Sequence, residues 1–187
     1  MISILYEVGR YRDFLNDAVC DGSVVIEIGP HVGKSTGKYV VRTRLTVAVD
    51  IGKQAEESMG KLSERHENLV FVRGDARSFD TVRKVLELTD RCDVLAVDLG
   101  GGRYPDTVYK VWAVWSGVFQ PRHSVLRNRG LAEFLQRAHI ADDSVKKVFS
   151  DDGWMSTWGR TIPSKLEKQL EEFGFWTDLK SRKKTRE

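Results

Sequence analysis

Cysteine is scarce in this chain, with only Cys20 and Cys92 among 187 residues, too few for a disulfide framework and wrongly spaced for a zinc site. The four histidines, His31, His66, His123 and His139, have no metal-ligand spacing, so no metal is expected. Proline occurs four times, and no linker, low-complexity segment or long-period repeat divides the chain. No apolar run approaches the roughly 20 residues that span a bilayer, and Met1 to Arg10 mixes Glu7 and Arg10 into a short apolar stretch without a cleavage site. These absences argue against membrane-spanning, disulfide-rich and fibrous classes. They predict a soluble, cytoplasmic protein with no membrane partner.

A one-sided charge is missing too. There are 30 Lys+Arg against 27 Asp+Glu, and residues 178–187 hold five of the basic and two of the acidic groups. Without that stretch the balance is even, so the excess reads as a basic, frayed tail rather than a nucleic-acid clamp. With 41% hydrophobic and 30% charged residues, a chain of this length buries roughly 70% of its unfolded surface. Residues 1–187 are expected to form one domain.

The apolar spacing of Ile4, Leu5, Val8, Tyr11, Leu15 and Val19 predicts a leading helix over Ser3 to Val19. Short, β-branched, nearly uninterrupted runs then predict strands buried on both faces: Ser23 to Ile28, Leu45 to Asp50, Asn68 to Asp75 and Asp93 to Leu99. Between them Gly33 to Val41, Lys53 to Arg65 and Phe79 to Thr89 segregate apolar from charged residues as helices do. An aromatic-rich helix over Asp106 to Phe119, a strand at Ser124 to Arg127, and helices at Gly130 to Ala138 and Pro163 to Phe173 complete the pattern. The alternation predicts an α/β, doubly wound, mostly parallel sheet with helices on both faces.

Four acids, Glu27, Asp50, Asp75 and Asp98, sit at or beside the carboxyl ends of the first four of these strands, one strand-helix unit apart. In an open doubly wound sheet the ligand crevice lies outside those ends. Each acid alone reads equally well as a structural carboxylate or a helix cap; the shared period favours a common rim. Gly29 and Gly33 permit a tight turn and close backbone approach to a ligand at the start of a helix.

Here the chain resembles the class I, Rossmann-like S-adenosylmethionine-dependent methyltransferases, over roughly residues 20 to 140. VVIEIGPHVG, Val24 to Gly33, looks like the first motif of that family, an acid followed by a glycine-rich turn; the departure is His31, where many members carry a glycine. The resemblance implies an S-adenosylmethionine cofactor held by Glu27, Gly29, Pro30, His31, Gly33, Asp50, Ile51, Asp75, Ala76 and Asp98. Within it Asp50 falls on the ribose hydroxyls, Asp75 with Ala76 on the adenine, and Asp98, also the catalytic candidate, beside the transferable methyl and the acceptor.

Rival readings fit less well. A P-loop needs four residues between its glycines, and Gly29 and Gly33 enclose three. A nicotinamide enzyme lacks both Gly-x-Gly-x-x-Gly and a Tyr-x-x-x-Lys pair. A non-catalytic cofactor-binding protein stays open as the alternative.

The acceptor is less legible. No Asn/Asp-Pro-Pro-Tyr/Phe motif follows the fourth strand; Gly100, Gly101 and Gly102 lead instead into Arg103 and Tyr104, either a loose connection or a close approach to substrate. Lys34, Lys38, Arg42 and Arg44, and again Arg122, Arg127 and Arg129, form acid-free clusters that fit either RNA phosphates or an ordinary charged surface. Gly100, Gly101, Arg103, Tyr104, Arg122 and Arg127 are the substrate-binding candidates. Asp98 with Arg127 is similar to part of the Lys-Asp-Lys-Glu set of ribose 2′-O-methyltransferases, but an arginine stays protonated and cannot serve as base. Tyr104, Tyr109, Trp112, Trp115, Phe119, Trp154, Trp158 and Trp176 read as sheet packing, a stacking surface, or the contact of a homodimer.

Overall fold

The computed structural model describes residues 1–142 and 149–155. Its strands are β1 Ile2–Leu5, β2 Val24–Ile28, β3 Leu45–Asp50, β4 Leu69–Arg73, β5 Val94–Val97 and β6 His123–Arg127. Its helices are α1 Val8–Ala18, α2 Thr36–Tyr39 with a 3-10 turn at Val40–Arg42, α3 Lys53–Ser63, α4 Phe79–Leu86, α5 Pro105–Phe119 and α6 Arg129–Arg137. The expected helix at Pro163 to Phe173, the basic stretch 178–187, Trp158 and Trp176 lie outside the described residues. Among those described, no helix is long and apolar enough to cross a membrane.

Three of the helices begin at clear sequence signals. Ser78 caps α4 by accepting from the Asp80 amide at 3.3 Å, Pro105 opens α5 at a position where no amide is needed, and Asn128 caps α6 by accepting from the Leu131 amide at 2.9 Å. The strands pair in the order β1-β6-β5-β2-β3-β4, every pair parallel. All five residues of β2 are buried, as expected of a strand covered on both faces. One face packs Ile26, Ile28, Val47, Val49, Leu95 and Leu126 against α4 and α5. The other packs Val25, Ala96 and Val125 against Tyr11 and Leu15 of α1 and Tyr39 of α2, with Ala48 against Met59 of α3.

The N-terminus departs from expectation. The predicted helix over Ser3 to Val19 is an edge strand followed by a shorter helix. Ile2 to Leu5 pairs in register with Ser124 to Arg127, a partner some 120 residues away that no local periodicity reveals. A short apolar run is ambiguous between helix and strand, and the open edge of β6 decides it.

Inside the α5 face the Trp112 indole N–H donates to the Ser124 hydroxyl at 2.8 Å, and that hydroxyl donates to the Gly153 carbonyl, tying residues 149–155 to the sheet. Ser124→Ala should therefore lower unfolding free energy by about 1–3 kcal/mol, because it strands a buried donor and a buried acceptor. In a Trp112→Phe background the same change should cost less. Equal costs in denaturant titrations of both backgrounds would show that the pair is not coupled.

Candidate functional site

Strand order reverses between β2 and β5: β3 and β4 continue on one side of β2, and β5 and β6 on the other. Such a switch point opens a crevice at the carboxyl ends of the two strands. Three features crowd it. The chain leaves β2 through Gly29, His31 and Gly33, all at positive φ of 80, 53 and 73°. The Gly29 amide donates to the Val49 carbonyl and the Gly33 amide to the Pro30 carbonyl, both at 2.9 Å. A Cβ on Gly29 would collide with the Asp98 carbonyl, and one on Gly33 with the Met59 side chain, so only glycine lets the turn lie this close to β5 and α3.

Asp50 ends β3 beside this turn. Its carboxylate accepts the Gly52 amide at 2.8 Å and the His31 amide at 3.3 Å, bridging the first two loops of the rim. The His31 ring is within 3.1 Å of the Gln54 side-chain oxygen. Ile51 follows with its side chain 62% exposed, an apolar surface at the crevice lip. Asp98 comes immediately after β5. Its Oδ2 accepts from the Arg127 guanidinium at 2.8 Å, while its Oδ1 is enclosed and has no hydrogen-bond partner among the described residues.

Glu27 lies deeper. It faces α1 and α2, is 1% exposed, and accepts hydrogen bonds from the Thr36 hydroxyl at 2.5 Å and the Tyr39 hydroxyl at 2.6 Å. Burial raises its pKa above the usual carboxylate value, the two hydroxyl donors opposing that shift. Enclosed in this way, the acid anchors α2, and through it the turn above. Tyr39 is pushed well above the usual phenol value by burial and then by Glu27, and Tyr11 likewise by burial, Glu27 and Asp98. The Tyr11 hydroxyl is a second buried polar group without a partner among the described residues.

Asp75 stands two residues past β4 and is gripped by Arg77, whose Nη2 donates to Oδ2 at 2.6 Å and whose Nε donates to Oδ1 at 2.9 Å. Those bonds hold its carboxyl below the usual range. The carbonyl of Ala76 accepts the Trp115 indole N–H at 2.7 Å, so α5 supports the loop from beneath.

On the far side of β5, Gly100, Gly101 and Gly102 run at φ 62, 66 and 87° into Arg103 and Tyr104, and Tyr104 is itself left-handed at φ 57°. Asn128, fully buried, donates to the Arg103 carbonyl at 2.7 Å while its own amide donates to the Leu5 carbonyl at 3.1 Å. The side chain thus joins the glycine loop to the start of α6, and the backbone N–H of the same residue ties both to β1. Sequence reasoning passed over it, although an asparagine before an amphipathic segment is a capping signal. Tyr6, at the end of the unrecognised strand β1, was missed for the same reason as the strand.

Arg122 is not part of this rim. It precedes β6 and pairs loosely with Asp93, which precedes β5, at 3.8 Å; both belong to the amino ends of the strands, opposite the crevice. Arg42 and Arg44 also precede β3 and lie at that end. Lys38 pairs with Asp13 at 2.6 Å. The expected ring of positive charge is thereby reduced to Lys34, Arg103, Arg127 and Arg129, and Arg127 is neutralised by Asp98. A separate groove of about 550 Å³, lined by Ile4, Tyr109, Trp112, Leu126, Leu131 and Met155 among others, includes two of the aromatics expected to pack or stack but none of the expected cofactor-binding residues. Among the described residues, no three His, Cys, Asp or Glu side chains are grouped to hold a metal ion.

No family model matches this sequence, and no curated protein matches it. Solved structures do. An rRNA methylase from Streptococcus thermophilus superposes with a TM-score of 0.51 at 15% identity, over 70% of this chain and 78% of that one. A dimethyladenosine transferase from Plasmodium falciparum superposes with a TM-score of 0.52 at 21% identity, over 76% of this chain and 49% of that one. Fibrillarin from Aeropyrum pernix, solved with natively bound S-adenosyl-L-methionine, gives 0.45 at 17% identity, over 54% of this chain and 42% of that one. The chain therefore spans less than half the length of the last two. Its fold is class I methyltransferase-like, with a six-stranded, wholly parallel Rossmann-like sheet.

The buried acid gives a test of the site's electrostatics. Because the folded-state pKa of Glu27 lies above the value of about 4.3 in an unfolded chain, the folded protein binds more protons in the window between the two. Stability from this residue is then complete below about pH 4.3 and falls as pH rises through the folded pKa. Glu27→Gln should remove that component, so denaturation across a pH series should give a flatter profile for the variant. An unchanged profile would show that Glu27 ionises as freely folded as unfolded.

Proposed function

We propose that this protein is an S-adenosylmethionine-dependent methyltransferase. The observation that carries the reading is the convergence at the β2/β5 switch point of the left-handed Gly29–Gly33 turn, the Asp50 carboxylate and the half-enclosed Asp98 carboxylate. The residues suit the cofactor. Asp50 would accept hydrogen bonds from the ribose hydroxyls, Ile51 and Ala76 would flank the adenine, and the Pro30, His31 and Gly33 backbone would follow the remainder. Asp75 would meet the adenine amine from its place against Arg77. Glu27 supports the turn from below.

When bound, S-adenosylmethionine supplies an electrophilic methyl group, transferred by in-line displacement. The protein's share is alignment. Arg127 fixes Asp98 through Oδ2 at the end of β5, where the charge of the carboxylate would favour an acceptor that presents an N–H or O–H. Arg127 stays protonated and takes no part as base. An RNA acceptor agrees with Lys34, Arg103 and Arg129 on the rim. The same fold also serves an rRNA methylase and a dimethyladenosine transferase.

Calorimetric titration separates the cofactor readings. S-adenosylhomocysteine should bind in the micromolar range, about −8 kcal/mol, with ATP and NAD far weaker. Tight magnesium-ATP binding abolished by Lys34→Ala would establish a P-loop instead. Asp50→Ala should weaken S-adenosylhomocysteine ten-fold or more, since charged hydrogen bonds contribute about 1.5–3 kcal/mol each. Unchanged affinity with a lowered melting temperature would reduce Asp50 to a bridge between loops.

A further inference from the structure

Resting on the methyl-transfer reading for its purpose, the inference concerns what docks at the opposite lip of the same crevice. We propose that Tyr6, Tyr104 and Arg129 form a platform that stacks an unpaired nucleobase of the acceptor.

Three observations carry it. Both tyrosines are exposed, Tyr6 by 50% and Tyr104 by 59%, although Tyr6 directly follows β1 and Tyr104 directly precedes α5. Tyr104 also holds a left-handed backbone, a conformation that is costly for a non-glycine residue and that clusters at ligand sites. Its ring rests on Gly100, where a Cβ would come within 2.7 Å of Cδ2. Finally, the Arg129 guanidinium lies 5.2 Å from the centre of the Tyr6 ring, and its stem flanks Gly102. Asn128 binds the three segments that carry these side chains to one another.

The chemistry selects the ligand. Arg129 lies over the Tyr6 ring rather than standing apart as a bare charge. What this lip offers is aromatic faces backed by a guanidinium, which suit a planar ring in an unpaired strand better than a phosphate backbone. A paired helix keeps its base faces stacked internally and cannot use them.

The test uses the full chain with and without S-adenosylhomocysteine and measures binding of three probes by fluorescence anisotropy. These are a single-stranded RNA of roughly ten nucleotides, within the footprint of small single-strand binders, its duplex, and an abasic ribose-phosphate strand of equal length. The single strand should bind at least ten-fold more tightly than the duplex or the abasic strand. Tyr104→Gly, which relieves the backbone, and Tyr6→Ala should each lose about five-fold or more of that preference. Tyr104→Phe and Tyr6→Phe should retain it, and affinity for the abasic strand and S-adenosylhomocysteine should not change. Equal binding of single and abasic strands, equal losses on both probes, or no binding at low salt would overturn the platform. Stacking that persists without any S-adenosylhomocysteine binding would sink the methyl-transfer reading and leave the platform standing.

Discussion

The rest of the site depends on how closely the turn after β2 crosses the end of β5. Neighbouring parallel strands whose connections depart to opposite sides leave a gap at their carboxyl ends, and Gly29 closes part of it by lying against the Asp98 carbonyl, where a Cβ would not fit. From that contact the other positions follow. Asp50 bridges the turn to the next loop through the His31 and Gly52 amides, and Asp98 is presented toward Arg127 on the same face of the sheet. A larger residue at Gly29 would separate the two halves of the sheet where the crevice forms.

Beneath the rim, polar groups take the place that apolar packing fills elsewhere. Glu27, Thr36, Tyr39, Tyr11, Asp98 and Arg127 lie under α1 and α2, mostly enclosed. Buried polar networks are costly unless satisfied, and this one has two open positions, the Tyr11 hydroxyl and Asp98 Oδ1. Both lie enclosed beneath the rim. The charge of the network is arranged unevenly: Arg127 neutralises Asp98, whereas Glu27 has only hydroxyl donors and is held partly by its raised proton affinity.

The opposite lip is built differently. It is assembled from β1, the glycine loop and the start of α6, three segments distant in sequence, with Asn128 as their common hydrogen-bonding partner. The first lip presents carboxylates and backbone amides, and this one presents aromatic rings and arginines. That division matches a crevice in which two chemically unlike molecules meet.

Local pattern carried the alternation of strands and helices from β2 to α6, although several ends differ, as at Thr36 against the expected Gly33 and Leu86 against Thr89, because short β-branched runs such as VVIEI and LTVAVD suit strands covered on both faces. It also placed Asp50, Asp75 and Asp98 at or just past strand ends. Packing across the sheet supplied what local pattern could not. Ile2 to Leu5 became a strand because β6 offered it an edge, and with it Tyr6 reached the rim. Arg122 was removed from the site because five residues of extended chain carry Arg127 to one end of the sheet and leave Arg122 at the other, a direction that composition does not encode. Glu27 is enclosed because side chains alternate along a strand and α2 covers the face on which it lies, an arrangement settled by packing across the sheet and not by the local run of residues.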